Sequence, residues 1–98
     1  MGMERTITFS DEPPTWPSIV AKLTAAGHAV QMRMIDNMPA FPDEEPDLGW
    51  RELRVSLGAG MITLRHDANQ IRVIVWGNAD GATLAHQEAI ANACSSDS

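Results

Sequence analysis

The sequence predicts an α+β fold in which a curved antiparallel sheet of five strands carries two helices on one face. Three observations predict this fold. Apolar and polar residues alternate in five short segments, which is the pattern of a strand with one buried face. The last three of these segments are joined by short turns, which makes them antiparallel neighbours. Two further segments have helical spacing, clearly before the second strand and weakly near the C-terminus.

The first strand and the first helix occupy the N-terminal part of the chain. Residues 3 to 9 alternate with period two. A helix then begins at Thr15 or Trp16 as N-cap, has Pro17 in its first turn and ends at Gly27. Its apolar stripe consists of Trp16, Ile19, Val20, Leu23 and Ala26. We expect this stripe to pack on the sheet.

The second strand is followed by a long loop. Residues 28 to 35 alternate so that Met32 and Met34 share one face and Arg33 lies on the other. Residues 37 to 49 hold three prolines and four acidic residues and have no periodicity. They therefore predict a loop, near the length at which a structureless connection calls for a functional explanation.

The remaining chain predicts a three-stranded meander and a last helix. The strands are expected at residues 50–57, 61–66 and 71–76, joined by the turns GAG and DANQ. Asp80 is the expected N-cap of the last helix. Residues 3–94 thus form one domain, and residues 95–98 are expected to be a disordered tail.

This element order resembles the β-α-β(4)-α arrangement of the TATA-binding-protein-like, or helix-grip, fold. The resemblance covers residues 3 to 94 and lies in the order of elements, with no family motif in the residues. It implies a curved sheet with both helices on one face. It implies no function, because one fold serves many functions.

Composition excludes several classes of protein. The net charge of −6 disfavours nucleic acid, since phosphate neutralisation supplies most of the affinity for it. No apolar run approaches the roughly 20 residues of a membrane span, and the N-terminus has no apolar signal segment. The single Cys94 allows no intramolecular disulfide and fits a reducing compartment. We therefore expect a cytoplasmic protein without membrane contact.

No catalytic, cofactor or metal motif stands in the sequence. His28, His66 and His86 have no partner at metal-ligand spacing, and Cys94 has no basic neighbour in sequence. The acidic residues of the loop lack the regular spacing of a calcium site. We expect no metal and no cofactor, and the sequence favours a protein that is not an enzyme.

The feature that remains is the sheet face opposite the helices. If the aliphatic residues face the helices, this face gathers four of the six arginines and two of the three tryptophans. We call it the Arg/Trp face, and its candidate binding residues are Arg33, Trp50, Arg54, Arg65, Arg72, Ile74 and Trp76. Exposed Trp and Ile among arginines are typical of a surface that meets a partner.

Three occupants of the Arg/Trp face fit this pattern. The acidic loop, residues 36 to 47, can fold back on it, a second copy can dock there, or a foreign acidic segment or anion can bind its arginines. The sequence thus predicts a non-catalytic binding or assembly module that engages a protein partner or a second copy of itself. The alternative is a small-molecule-binding protein or small enzyme with a pocket between sheet and helices, lined by Met32, Met34 and Met61.

Overall fold

The computed structural model describes residues 3–9, 14–47, 49–58, 60–67, 69–75 and 81–95. These residues form β1 (Met3–Thr8), α1 (Trp16–Ala25), β2 (Gln31–Ile35), β3 (Met38–Pro39), β4 (Glu52–Ser56), β5 (Met61–Asp67), β6 (Gln70–Val75) and α2 (Gly81–Ser95). The strands make one antiparallel sheet in the order β1-β6-β5-β4-β2-β3. The predicted α+β class with an antiparallel sheet and two helices is confirmed. Its curvature and the resemblance to the TATA-binding-protein-like fold stay predictions.

The prediction of five strands misses β3, which forms a tight hairpin with β2. Asp36 and Asn37 connect the two strands with φ values of 49° and 70°, and Ile35 pairs with Met38 across the turn. Two consecutive positive φ values are typical of the type I′ turn, which suits the twist of a hairpin. Asp and Asn tolerate this region better than other residues with side chains. The predicted loop therefore begins with a turn and a short strand.

A β-bulge changes the faces predicted for β2. Met32 pairs with Val55 of β4, but the next partners, Met34 and Arg54, are reached only after a shift that leaves Arg33 without a partner in the register. Beyond this extra residue the alternation is inverted. Met34 therefore lies on the Arg54 side of the sheet, where its sulfur is 3.9 Å from Arg54 Nη1, and Ile35 packs against the core. The prediction that Met32 and Met34 share one face is wrong.

One hydrophobic core joins both helices to one face of the sheet. It contains Trp16, Ile19, Leu23, Met32, Trp50, Leu53, Val55, Leu57, Ile62, Leu64, Ile71, Val73, Val75, Ile90, Ala93 and Cys94. The stripe predicted for α1 supplies three of these residues, and the N-cap is Thr15, one of the two residues predicted for it. The side chain of Gln87 ties α2 to the sheet, because its Nε2 donates to the carbonyl of Val73 at 3.0 Å.

The ends of the chain differ slightly from the prediction. Helix α2 extends through Ser95, the residue at which the tail was expected to begin. Residues 96–98 lie outside the described residues. Neither described helix has the length and hydropathy that a membrane-spanning helix requires.

Candidate binding site

Three arginines of the Arg/Trp face, Arg54, Arg65 and Arg72, lie where strand alternation predicts, but carboxylates of the same sheet pair with them. Glu52 lies between two of them: Arg54 Nε donates to Glu52 Oε1 at 3.3 Å, and Arg65 Nε lies 3.7 Å from Glu52 Oε2. Arg72 pairs with Asp67 at 2.7 Å and with Glu4 at 3.8 Å. These part-exposed pairs each contribute no more than about 1 kcal/mol to stability. They also leave the three arginines less available to an outside anion.

Arg33 differs from the other three arginines. It occupies the bulge of β2, its side chain is exposed, and it makes no ion pair within the described part of the chain. Its backbone carbonyl accepts a hydrogen bond from Ala40 N at 3.1 Å, which ties the chain after β3 to β2. Arg33 is therefore the one candidate arginine whose charge the described sheet does not balance.

The outward position predicted for Trp50 is wrong. Trp50 is 4% exposed, belongs to the core and packs its ring 5.0 Å from that of His66, on the core side of β5. The cause is a turn before β4, in which Trp50 N donates to the carbonyl of Asp47. Strand alternation begins only at Glu52, so it does not extend back to this residue.

The other apolar members of the Arg/Trp face also offer little bare surface in the described chain. Ile74 lies on the outer side of β6, opposite Thr63 and Glu4 in the register, yet it is only 5% exposed. Trp76 lies outside the described residues. That these seven residues bind a partner stays a prediction, and two of its expected apolar contacts, Trp50 and Ile74, are buried within the chain.

The acidic loop does not pair with the Arg/Trp face in the residues that the structure describes. Its first part is the β2–β3 hairpin, and its second part runs beside β2, where Met32 N donates to the carbonyl of Pro42 at 3.0 Å. The carboxylates of Asp43, Glu44, Glu45 and Asp47 make no ion pair with any described arginine. This segment instead forms one wall of a cleft.

The cleft lies between α1, β2 and the acidic loop and has a volume of about 520 Å³. We call it the α1–β2 cleft. It is lined by Trp16, Pro17, Val20, Ala21, Val30, Met32, Pro42, Asp43, Glu44 and Glu45. Seven of these ten residues are apolar, and the other three are consecutive acids. The volume lies within the range of about 300 to 1,000 Å³ that is typical of small-molecule sites.

The walls of the cleft are held in place by packing in the core and by hydrogen bonds of the loop. Trp16 and Met32 are almost fully buried in the core, so the inner surface is anchored. The loop wall is fixed by its hydrogen bonds to β2 and by a local turn, in which Glu44 N donates to the carbonyl of Phe41. The side chain of Glu44 also accepts from Phe41 N at 3.2 Å. Contacts within the chain therefore hold both the inner wall and the loop wall of the cleft.

Two large apolar side chains of the acidic loop are exposed. Phe41, which precedes the lining residue Pro42, is 74% exposed, and Met38 in β3 is 69% exposed. Sequence reasoning placed the pocket alternative between sheet and helices but missed the acidic loop as its wall. The sequence did contain a signal for this wall. Asp36 and Asn37 predict a hairpin turn, after which the acidic, Pro-rich loop runs back beside the second strand.

The groups that can act as nucleophile or metal ligand are placed unfavourably for such chemistry. Cys94 is fully buried, and this burial raises the pKa of its thiol to about 12, against a smaller opposite effect of Lys22. His28 and His86 do meet, with ring centroids 5.6 Å apart. Within the described residues, however, no three His, Cys, Asp or Glu side chains form a group that could hold a metal ion.

Comparisons of the chain with protein-family models, with curated proteins and with solved structures find no match. Inference about function therefore depends on the geometry of the cleft and of the Arg/Trp face.

Proposed function

We propose that this protein is a non-catalytic binding protein that takes a small molecule with an apolar body in the α1–β2 cleft. The observation that carries the proposal is the cleft itself, about 520 Å³ in volume and lined mainly by apolar side chains. A concave, largely apolar site with a few polar groups at one side is the usual form of a small-molecule site.

The contrast with the Arg/Trp face supports this choice. Arg54, Arg65 and Arg72 are balanced by carboxylates of their own sheet, and Ile74 is buried. A protein partner or a second copy docking on that face remains a weaker proposal. Such contacts depend on accessible aromatic and Arg anchors, and the described residues of this face offer few of them.

A non-catalytic role is supported by the state of the reactive groups. Burial keeps the thiol of Cys94 protonated at neutral pH, and the thiolate is the reactive form. The residues that line the cleft include no His, Cys, Ser or Lys among those described.

The proposal is tested by blocking the cleft. Ala21 and Ala25 are both exposed alanines of α1, but only Ala21 lines the cleft. We expect a screen of small aromatic and alkyl compounds by thermal shift to find compounds that stabilise the wild type. The same compounds should stabilise Ala25→Trp equally and should lose most of their effect on Ala21→Trp.

Two outcomes would contradict the proposal. One is that no compound in the screen raises the melting temperature of the wild type. The other is that the active compounds stabilise Ala21→Trp as much as Ala25→Trp, which would place their binding elsewhere.

A further inference from the structure

We infer that the ligand of the α1–β2 cleft is a small organic cation, an ammonium group joined to an aromatic or alkyl body. This inference rests on the proposed function and adds the charge of the ligand. It depends on how the charged residues are distributed around the cleft.

All charged groups that line the cleft have the same sign. Asp43, Glu44 and Glu45 lie side by side in the loop wall, and the lining residues from α1 and β2 are uncharged. No Lys or Arg lines the cleft among the described residues. A ligand in the cleft therefore has carboxylates on one side and apolar side chains on the others.

These carboxylates can accept further hydrogen bonds from a cation. Glu44 accepts one hydrogen bond from Phe41 N, whereas Asp43 and Glu45 make neither an ion pair nor a side-chain hydrogen bond within the described chain. On the Arg/Trp face, by contrast, Glu52 already meets two arginines. An ammonium group at the cleft can thus gain charge-assisted hydrogen bonds without displacing an internal partner.

The loop that carries these three exposed acids is held beside β2. Its backbone is bonded to β2 on both sides of Phe41, through Ala40 N to Arg33 O and through Met32 N to Pro42 O. The three acids follow directly after the second of these bonds. These two hydrogen bonds therefore hold the carboxylates beside the apolar walls of the cleft. A ligand with an apolar part and a cationic part fits this arrangement.

The chemistry disfavours the other classes of ligand. An anion such as a fatty acid would bring its carboxylate near three like charges, which costs binding free energy. A neutral ligand would fill the apolar part and leave the acids to water. Of the three classes, only a ligand with an apolar body and a cationic head group interacts favourably with both the apolar walls and the carboxylates.

The test compares three compounds that share a phenylbutyl body and differ in the head group: 4-phenylbutylamine, 4-phenylbutan-1-ol and 5-phenylpentanoic acid. Dissociation constants are measured on the full chain by ligand-observed NMR or calorimetry at neutral pH and low salt. We expect the amine to bind about fivefold or more tightly than the alcohol, and the acid to bind most weakly. The preference for the amine should shrink at high salt, because partly exposed charges are screened.

A matched pair of variants locates the effect. Glu45→Gln and Asp47→Asn each remove one charge from the same loop, but only Glu45 lines the cleft. We expect Glu45→Gln to reduce the amine-to-alcohol preference and Asp47→Asn to leave most of it. The triple variant Asp43→Asn, Glu44→Gln, Glu45→Gln should remove the preference while the alcohol still binds.

The outcomes separate this inference from the proposed function. Equal binding of amine and alcohol, blocked by Ala21→Trp, would overturn the cationic ligand and leave the cleft as the site. Stronger binding of the acid, or equal effects of Glu45→Gln and Asp47→Asn, would also overturn the inference. If none of the three compounds binds, the inference fails, and the wider screen decides separately whether the cleft takes a ligand.

Discussion

At the level of single residues, Asp36 has the clearest energetic role in the described structure. It occupies a turn with positive φ, and its Oδ1 accepts from Arg51 N at 2.8 Å and from Glu52 N at 2.9 Å. These two backbone hydrogen bonds lower the pKa of the Asp36 carboxyl below its ordinary value of 3.8, led by the bond from Glu52. One side chain thus joins the β2–β3 turn to the start of β4.

We predict that Asp36→Ala lowers the free energy of unfolding by about 1 kcal/mol at pH 7, since the carboxylate is exposed and its bonds are screened. Asp36→Asn should cost less, because an amide oxygen can accept the same bonds. A lowered folded pKa stabilises the protein above pH 3.8, and this contribution is lost as the pH falls through the folded value. Urea unfolding at pH 7 and near pH 3 measures both variants.

The difference in unfolding free energy between wild type and Asp36→Asn should accordingly shrink as the pH falls below 3.8 through the lowered pKa of the folded Asp36 carboxyl. A difference that stays constant over this range would mean that the charge contributes nothing. The role of Asp36 was open to sequence reasoning only in part. An Asp-Asn pair between Ile35 and Met38 predicts a hairpin turn, but its bonds to residues 51 and 52 join distant parts of the chain.

At the level of secondary-structure elements, the β4–β5 connection and helix α2 make a close backbone contact. Gly60 N donates to Thr83 Oγ1 at 3.0 Å, and a Cβ atom on Gly60 would lie 2.8 Å from the same oxygen. The sequence showed Gly60 only as a turn residue. A side chain at Gly60 would therefore collide with the side chain of Thr83 in α2.

We predict that Gly60→Ala lowers the free energy of unfolding by about 1 to 3 kcal/mol, because Thr83 is buried and has little room to move. Gly81→Ala is the matched control, since a Cβ atom at Gly81 meets nothing within 4 Å. It should be neutral or stabilise α2 by at most about 1 kcal/mol. Chemical denaturation of both variants checks the difference.

Equal effects of the two Gly→Ala changes would show that the approach of the turn to α2 is not tight. Prediction from the sequence succeeded for features that depend on one secondary-structure element alone, such as the cap of α1 at Thr15. It failed at the bulge in β2. There the extra residue, Arg33, is defined only by pairing with β4.

At the level of the whole molecule, one core couples every layer. Trp16 belongs to α1, Trp50 precedes β4 and Ile90 belongs to α2, yet all three lie in the same buried cluster. Truncation of Ile90 should therefore weaken the sheet and α1 as well as its own helix. Single domains of this size usually unfold in one cooperative step.

We predict that Ile90→Ala lowers the free energy of unfolding by about 2 to 5 kcal/mol and the melting temperature by about 10 °C or more. Ile90→Val should cost about 1 kcal/mol and gives a measurable result if the alanine variant does not fold. Helical circular dichroism and Trp fluorescence should shift together. A fluorescence transition that stays in place while the helical signal shifts would show that α2 unfolds independently.

Local pattern was enough to predict the α+β class, the antiparallel sheet, α1 with its cap, and the outer positions of Arg54, Arg65 and Arg72. Each of these follows from contacts between neighbours in sequence or from the two-residue period of a strand. Local pattern could not predict the buried position of Trp50, the inverted alternation of β2 after Arg33 or the position of the loop residues 43–45 across the cleft from α1. A turn, a bulge and a loop–strand hydrogen bond produce those features, and all three depend on segments that meet only in the folded chain.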